Sequence, residues 1–177
     1  MEWRVRSSRY VVRDRWISVR ADECLTAEGI EVSPYYVLEY PDFVHVVAYD
    51  ADDRIVLVRQ YRHGLGGTSL ELPGGVAEPS DADALATARR ELREETGYQG
   101  GSFALQATLS PDPAKLTNRL HLVVAHGVCP GRFSPDRSEQ ISVELVSRAQ
   151  AYELALSGAI MHAQHVGLLL TALQRRF

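Results

Sequence analysis

The first forty residues alternate between apolar and polar positions, as in Trp16-Ile17-Ser18-Val19-Arg20. This period of two predicts short strands at residues 10–12, 16–24 and 30–38, with a turn at Glu28-Gly29. Such a meander can belong to the main core or pair with a second subunit, and the alternation fits either. Val-rich runs at 43–49 and 54–61, joined by the turn Asp50-Ala51-Asp52-Asp53, predict a hairpin at the centre of a sheet. A Gly-rich loop (Gly64, Gly66, Gly67) then leads to Ser69-Leu70-Glu71-Leu72 and the turn Pro73-Gly74-Gly75. Beyond it the period changes. Leu85, Ala88, Leu92 and Thr96 recur at helical spacing, with Ser80, Asp81 or Asp83 as N-cap and Gly97 as the stop. Strands follow at 102–109, 120–125 and 141–146. Ser147 and Gln150 form a capping box that opens a helix over 148–156, and residues 162–175 supply a terminal helix. Strands, a helix, more strands and then helices predict an α+β domain with helices packed on a mixed sheet.

The middle helix carries chemistry on a second face. Glu91, Glu94 and Glu95 fall together there, because residues three and four apart are surface neighbours on a helix. Such crowding repels by a few tenths of a kcal/mol per like-charged pair, so positive charge belongs beside it. Arg90 and Arg93 offset part of it. Hard oxygen ligands next to a main-chain turn are also what Mg²⁺ or Mn²⁺ requires. Pro73 lacks an N–H and Gly74 and Gly75 lack a Cβ, so the backbone there can approach a ligand. Glu95 is expected to be an exposed acid with little packing role.

Gly75, five residues, Asp81, and then Arg90-Glu91-Leu92-Arg93-Glu94-Glu95-Thr96-Gly97-Tyr98 resembles the Nudix box, G-x5-E-x7-R-E-U-x-E-E-x-G-U with U apolar. Two departures stand out: the first acid is Asp81 instead of Glu, and eight residues instead of seven separate it from Arg90. The extra residue falls in the loop before the helix and leaves the helical carboxylates in register. The resemblance implies a Nudix-type α/β/α sandwich with a mixed sheet over residues 41–177, preceded by an antiparallel strand region over residues 1–40.

Arg59-Gln60-Tyr61-Arg62, Leu70-Glu71-Leu72-Pro73-Gly74-Gly75 and Val146 to Tyr152 resemble the ADP-ribose pyrophosphatase branch of that family. This likeness implies metal-dependent hydrolysis of a nucleoside diphosphate sugar, ADP-ribose first. Gly74, Glu91, Glu94 and Glu95 would hold Mg²⁺ or Mn²⁺. Arg90 would steady the glutamates by ion pairing, and Glu139 would act as base, with Asp136 as the fallback. Arg62, Glu71, Trp16 and Pro113 would contact the substrate. The branch also implies a homodimer with exchanged N-terminal strands. Two alternatives stand beside this reading: a Nudix hydrolase for another nucleotide, and a Nudix domain that senses a ligand without cleaving it.

Composition narrows the classes further. The 177 residues suffice for one domain with a real core, and a net charge of −4 argues against a protein that coats nucleic acid. Polyanionic substrates then depend on local arginines and bound cations. Cys24 and Cys129 form neither a disulfide framework nor a metal-type spacing, and both read as buried thiols. No run of about 18 apolar residues is present to span a membrane, and the first residues have no apolar core of a secretory signal, which makes a cytoplasmic location the default. His162 and His165, three apart, have no accompanying Cys or carboxylate motif and read as structural.

Overall fold

Alternation in the N-terminal forty residues builds antiparallel pairs, and residues 2–132 and 140–174 are described in a computed structural model as two units. The first comprises Met1–Asp42 with Leu109–Arg119. Its strands β1 (Arg4–Arg13), β2 (Ser18–Leu25) and β3 (Glu31–Glu39) form an antiparallel sheet in the order β1-β2-β3. All ten residues of β1 are exposed. β1 runs well beyond the expected 10–12, because its Arg and Ser residues give no alternation of hydrophobicity yet still pair along β2 from Arg4↔Leu25 to Arg13↔Ser18. The 109–119 segment is tied to β3 by Leu38 N–H to the Lys115 carbonyl (2.8 Å) and Thr117 N–H to the Leu38 carbonyl (3.2 Å).

The second unit, Phe43–Thr108 with Leu120–Phe177, holds the larger sheet. Its strands are β4 (Phe43–Asp50), β5 (Ile55–Arg62), β6 (Gly67–Glu71), β7 (Gly74–Val76), β8 (Tyr98–Gln99), β9 (Ser102–Leu109), β10 (Leu120–Pro130) and β11 (Ile141–Val146). The sheet runs β11-β5-β4-β10-β8, with β6 on β5, β7 on β4 and β9 on β10. β10 lies parallel to β4, whereas β4 and β5 are antiparallel, so the sheet is mixed. The expected hairpin of β4 and β5 is central, and its turn includes Asp53 at φ 59°.

Period-two alternation sends the sheet's side chains into two cores. Val47, Tyr49, Ile55, Leu57, Leu122 and Val124 pack with Ala151, Ala155, Leu168 and Leu169 of α2 (Arg148–Leu156) and α3 (Ala163–Gln174). Their neighbours Val46, Ala48, Val56, Val123 and Ala125 pack with Ala88 and Leu92 of α1 (Ala84–Thr96). Helices on both faces make an α/β/α sandwich of the α+β class. Burying one such Val or Leu side chain contributes about 1.5–3 kcal/mol. Among the described residues, no helix is long and apolar enough to cross a membrane. Cys24 is buried as expected, but Cys129 is exposed; its thiol points to the Gln99 carbonyl at 3.4 Å.

A cluster of histidines sits in the second unit. His45 of β4 makes an edge contact with His165 of α3 at 4.2 Å between ring centroids, and His162 stacks on His165 at 4.0 Å. Burial, then the neighbouring His162, pushes His45 down to about 4; burial, then its histidine neighbours, holds His165 well below the ordinary imidazole value. Burial also lowers His162. These rings are neutral when folded and gain protons more readily when unfolded, so the unfolded state binds more protons below the ordinary value of 6.5. Stability is therefore expected to fall as pH drops from about 6.5 toward about 4, and replacing His162 by Gln should lessen that fall. Thermal unfolding of both proteins across this range checks it; identical slopes contradict the neutral burial of His162.

Candidate active site

The bend after β6 brings the box helix to the main chain. Gly74 has φ 152°, and a Cβ there would strike the Val44 carbonyl and the His45 main chain, so only glycine fits. Gly75 has ordinary φ, but a Cβ on it would lie 2.5 Å from Glu91 Oε1. The Glu91 carboxylate thus occupies the space that any other side chain at 75 would need. Glu95 reaches the same bend: its Oε2 accepts the Gly74 N–H at 2.8 Å. Glu95 is only 5% exposed, which corrects the expectation of an exposed acid. The helical turn that buries Leu92 and Thr96 carries Glu95 inward with them.

Helix α1 is N-capped by Asp83, whose side chain accepts the Ala86 N–H at 2.8 Å, and ends at Gly97 with φ 74°. With Asp83 as cap, Asp81 is available for another task. Its carboxylate accepts Arg90 Nε at 3.2 Å and Nη2 at 2.9 Å, Thr87 Oγ1 at 3.0 Å and the Glu78 N–H at 3.0 Å. These hydrogen bonds, Arg90's first, hold the Asp81 carboxyl far below the usual range, and Asp81 in turn raises Arg90. Asp81 thus meets Arg90 although eight residues separate the two in the chain.

Arg90 is the main local positive charge, with Arg93 Nη2 3.7 Å from Glu94 Oε1. Arg90 Nη1 donates to Glu91 Oε1 at 2.8 Å and to Glu94 Oε2 at 3.1 Å, and its Nη2 to the Val76 carbonyl at 2.9 Å. Among the described residues, no three acidic, histidine or cysteine side chains converge closely enough to hold a metal ion as they stand. Arg90 engages Glu91 and Glu94, and Gly74 N–H engages Glu95, which explains why the set is gathered but not closed. The donor set still fits a hard divalent cation: carboxylates on one helix face, beside a bend cleared of Cβ atoms. Glu94, the most exposed of the three, also lines a cleft with Arg93, Gln99 and Arg132.

A second group stands at the end of β5. Arg62 gives Nε to Glu71 Oε1 at 3.0 Å and Nη2 to Glu71 Oε2 at 2.7 Å. Glu71 is 1% exposed. Burial alone would raise its carboxyl, but the paired bonds and charge of Arg62 outweigh that and hold it below the ordinary value. Glu71, expected among the substrate contacts, is thus buried with both oxygens turned to Arg62. Sequence reasoning also missed that His165 Nδ1 accepts the Leu72 N–H at 3.2 Å and lies 3.9 Å from Glu71 Oε2. Spacing gave no signal for it, since the two partners come from distant parts of the chain.

Trp16 and Pro113 belong to the first unit; Trp16 is 72% exposed with the Arg15 guanidinium over its ring, and Pro113 is exposed. Glu139 and its fallback Asp136 lie outside the described residues.

The NUDIX domain family model matches residues 39–165, and that of the nucleoside diphosphate sugar hydrolase N-terminal domain matches residues 3–38. The methanol dehydrogenase activator of Bacillus methanolicus is 29% identical over 148 residues, covering 84% of this chain and 76% of that protein. The ADP-ribose pyrophosphatase of Bacillus subtilis is 28% identical over 130 residues, covering 72% and 70%. The crystal structure of an ADP compounds hydrolase matches the fold with a TM-score of 0.86 over 97% of this chain and 92% of that one, at 22% identity. With the box residues seated on β7 and α1 and the family match spanning most of the chain, this protein belongs to the Nudix hydrolase family.

Proposed function

We propose that the protein hydrolyses the diphosphate bond of a nucleoside diphosphate sugar, ADP-ribose first, giving AMP and ribose 5-phosphate. The observation that carries this reading is the meeting of Glu91 and Glu95 at the Gly74-Gly75 bend, with Arg90 as their counter-charge. The family match of the N-terminal segment and the activity for which the Bacillus subtilis relative is named support the substrate class.

Glu91, Glu94, Glu95 and the Gly74 carbonyl would hold Mg²⁺ or Mn²⁺. Such a cation, when bound, neutralises diphosphate oxygens and makes water a better nucleophile. Asp81 fixes Arg90, and Arg90 keeps Glu91 and Glu94 in their places on the helix. Glu71 orients the Arg62 guanidinium, whose planar fork suits phosphate oxygens. Glu139 takes the proton of the attacking water. The exposed ring of Trp16 and the exposed Pro113 are kept as proposed contacts for base and sugar. A homodimer belongs to the same proposal, supported by the apolar surface that β1 and its flank expose at Trp3, Val5, Tyr10, Val11 and Val12.

A panel of nucleotide sugars, dinucleotides and nucleoside triphosphates incubated with Mg²⁺, with products separated, tests the proposal. ADP-ribose should give AMP and ribose 5-phosphate, and Glu95→Gln should lower kcat on the order of a hundredfold or more. Gln retains an oxygen for the Gly74 N–H, so folding should be kept. Near-normal hydrolysis by that variant contradicts the assignment. The two glycines should separate function from stability. Gly75→Ala displaces only the mobile end of Glu91 and should fold while losing metal activation. Gly74→Ala strikes main chain at positive φ and should lose about 1–3 kcal/mol or more of stability, read by denaturant unfolding. Arg62→Ala should raise KM roughly tenfold. It also strands the buried Glu71, at about 1–3 kcal/mol, less than for a fully buried pair because Arg62 is half exposed. Adding Glu71→Gln should recover the stability and leave KM high; recovery of KM as well would contradict a phosphate-binding role for Arg62.

A further inference from the structure

The bend that seats the carboxylates is paired through β7 to β4 and has few other fastenings of its own. Pro73 has no N–H, and Gly74 and Gly75 have no side chains to pack. Its hydrogen bonds run outward: the Pro73 carbonyl accepts Val46 N–H at 2.9 Å, and Gly74 N–H donates to Glu95. Leu72 N–H is the last main-chain donor before Gly74, and it goes to a side chain, Nδ1 of His165, at 3.2 Å. Leu72 and His165 are each 1% exposed, so no bulk solvent could replace that acceptor.

An N–H aimed at Nδ1 requires a lone pair there, which places the ring proton on Nε2. That Nε2 has no hydrogen-bond partner among the described residues, which leaves the one to Leu72 as the ring's hydrogen bond there. His162 stacks on one face of the ring, and His45, whose strand pairs with Gly74, meets it edge-on. The ring is thereby held in plane with its acceptor directed at the chain leading into the bend. The same nitrogen lies 3.9 Å from Glu71 Oε2, the carboxylate that orients Arg62.

We propose that His165 is a positioning residue for the reaction: its Nδ1 lone pair fixes the Leu72 main chain and so sets where the Gly74-Gly75 bend meets Glu91 and Glu95. It touches neither substrate nor cation. The proposal rests on reading this bend as a divalent-cation site. An apolar side chain of similar volume would fill the space and leave the Leu72 N–H buried and unpaired, a state that a shift of the bend relieves. Residues that orient metal ligands in this way typically change metal affinity by 10–100-fold when replaced.

The test is Mn²⁺ binding by the whole protein without substrate, followed by the electron paramagnetic resonance of free Mn²⁺, with thermal unfolding recorded alongside. His165→Leu removes the acceptor, and His165→Asn places an amide oxygen near the position of Nδ1. His165→Leu should weaken Mn²⁺ binding about tenfold, with Asn recovering most of the loss. The Mn²⁺ concentration for half-maximal hydrolysis should move in parallel, while KM at saturating metal stays near that of the wild type. Loss of ring stacking alone would lower the melting temperature of both variants and leave the metal affinity of the folded protein untouched. Folded His165→Leu that binds Mn²⁺ as the wild type does, or Asn as weak as Leu, overturns the proposal alone. A wild type that binds no Mn²⁺ overturns the site reading as well. Nitrogen NMR of the wild-type imidazoles needs no variant: His165 protonated on Nε2 supports the proposal, and a proton on Nδ1 overturns it.

Discussion

A carboxylate can lie against the main chain of a bend only where no Cβ stands between them, and this constraint organises the site. At Gly75 the missing Cβ admits Glu91, and at Gly74 a backbone conformation suited to glycine presents its N–H to Glu95. Both acids come from one helix face, so the helix must lie close to the bend. Ala88 and Leu92, fully buried against β4, β5 and β10, hold it there. Crowded negative charge opposes that approach. Arg90 offsets it, and Asp81 fixes Arg90 through both its Nε and Nη2 donors.

The two faces of the sheet divide the work. One face carries α1 and the carboxylates. The other carries α3, whose His165 reaches Leu72 just before the bend, and β4 links the two through Val46 N–H and the Gly74↔His45 pairing. Arg62 and Glu71 stand beside this second set, since Glu71 precedes Leu72 directly. A small stretch of chain, 71–75, is therefore gripped from β4, α1 and α3.

Much of this was legible because it is local. The strand at 102–109, the strand at 141–146 and the helix with its Ser147-Gln150 capping box occur as expected, since alternation and capping are written within a few neighbouring residues. The placement of Glu91, Glu94 and Glu95 together follows from helical spacing alone. β7 and β8, of three and two residues, are too short to show a period. β10 runs on from the expected 120–125 to Pro130. The inward turn of Glu95 was hidden because charge favours solvent until a main-chain N–H compensates it. The fork between Arg62 and Glu71 and the contact of Leu72 with His165 depend on tertiary approach, which no local pattern encodes.

The central claim is that the carboxylates of α1 and the Gly74-Gly75 bend together seat divalent cations. Crystals soaked in Mn²⁺ and measured at a wavelength where manganese scatters anomalously locate those ions directly. The account predicts anomalous peaks within ligand distance of the Glu91 and Glu95 carboxylates and the Gly74 carbonyl. Peaks elsewhere in a fully soaked crystal, with Glu91 still on Arg90 and Glu95 still on the Gly74 N–H, would contradict it.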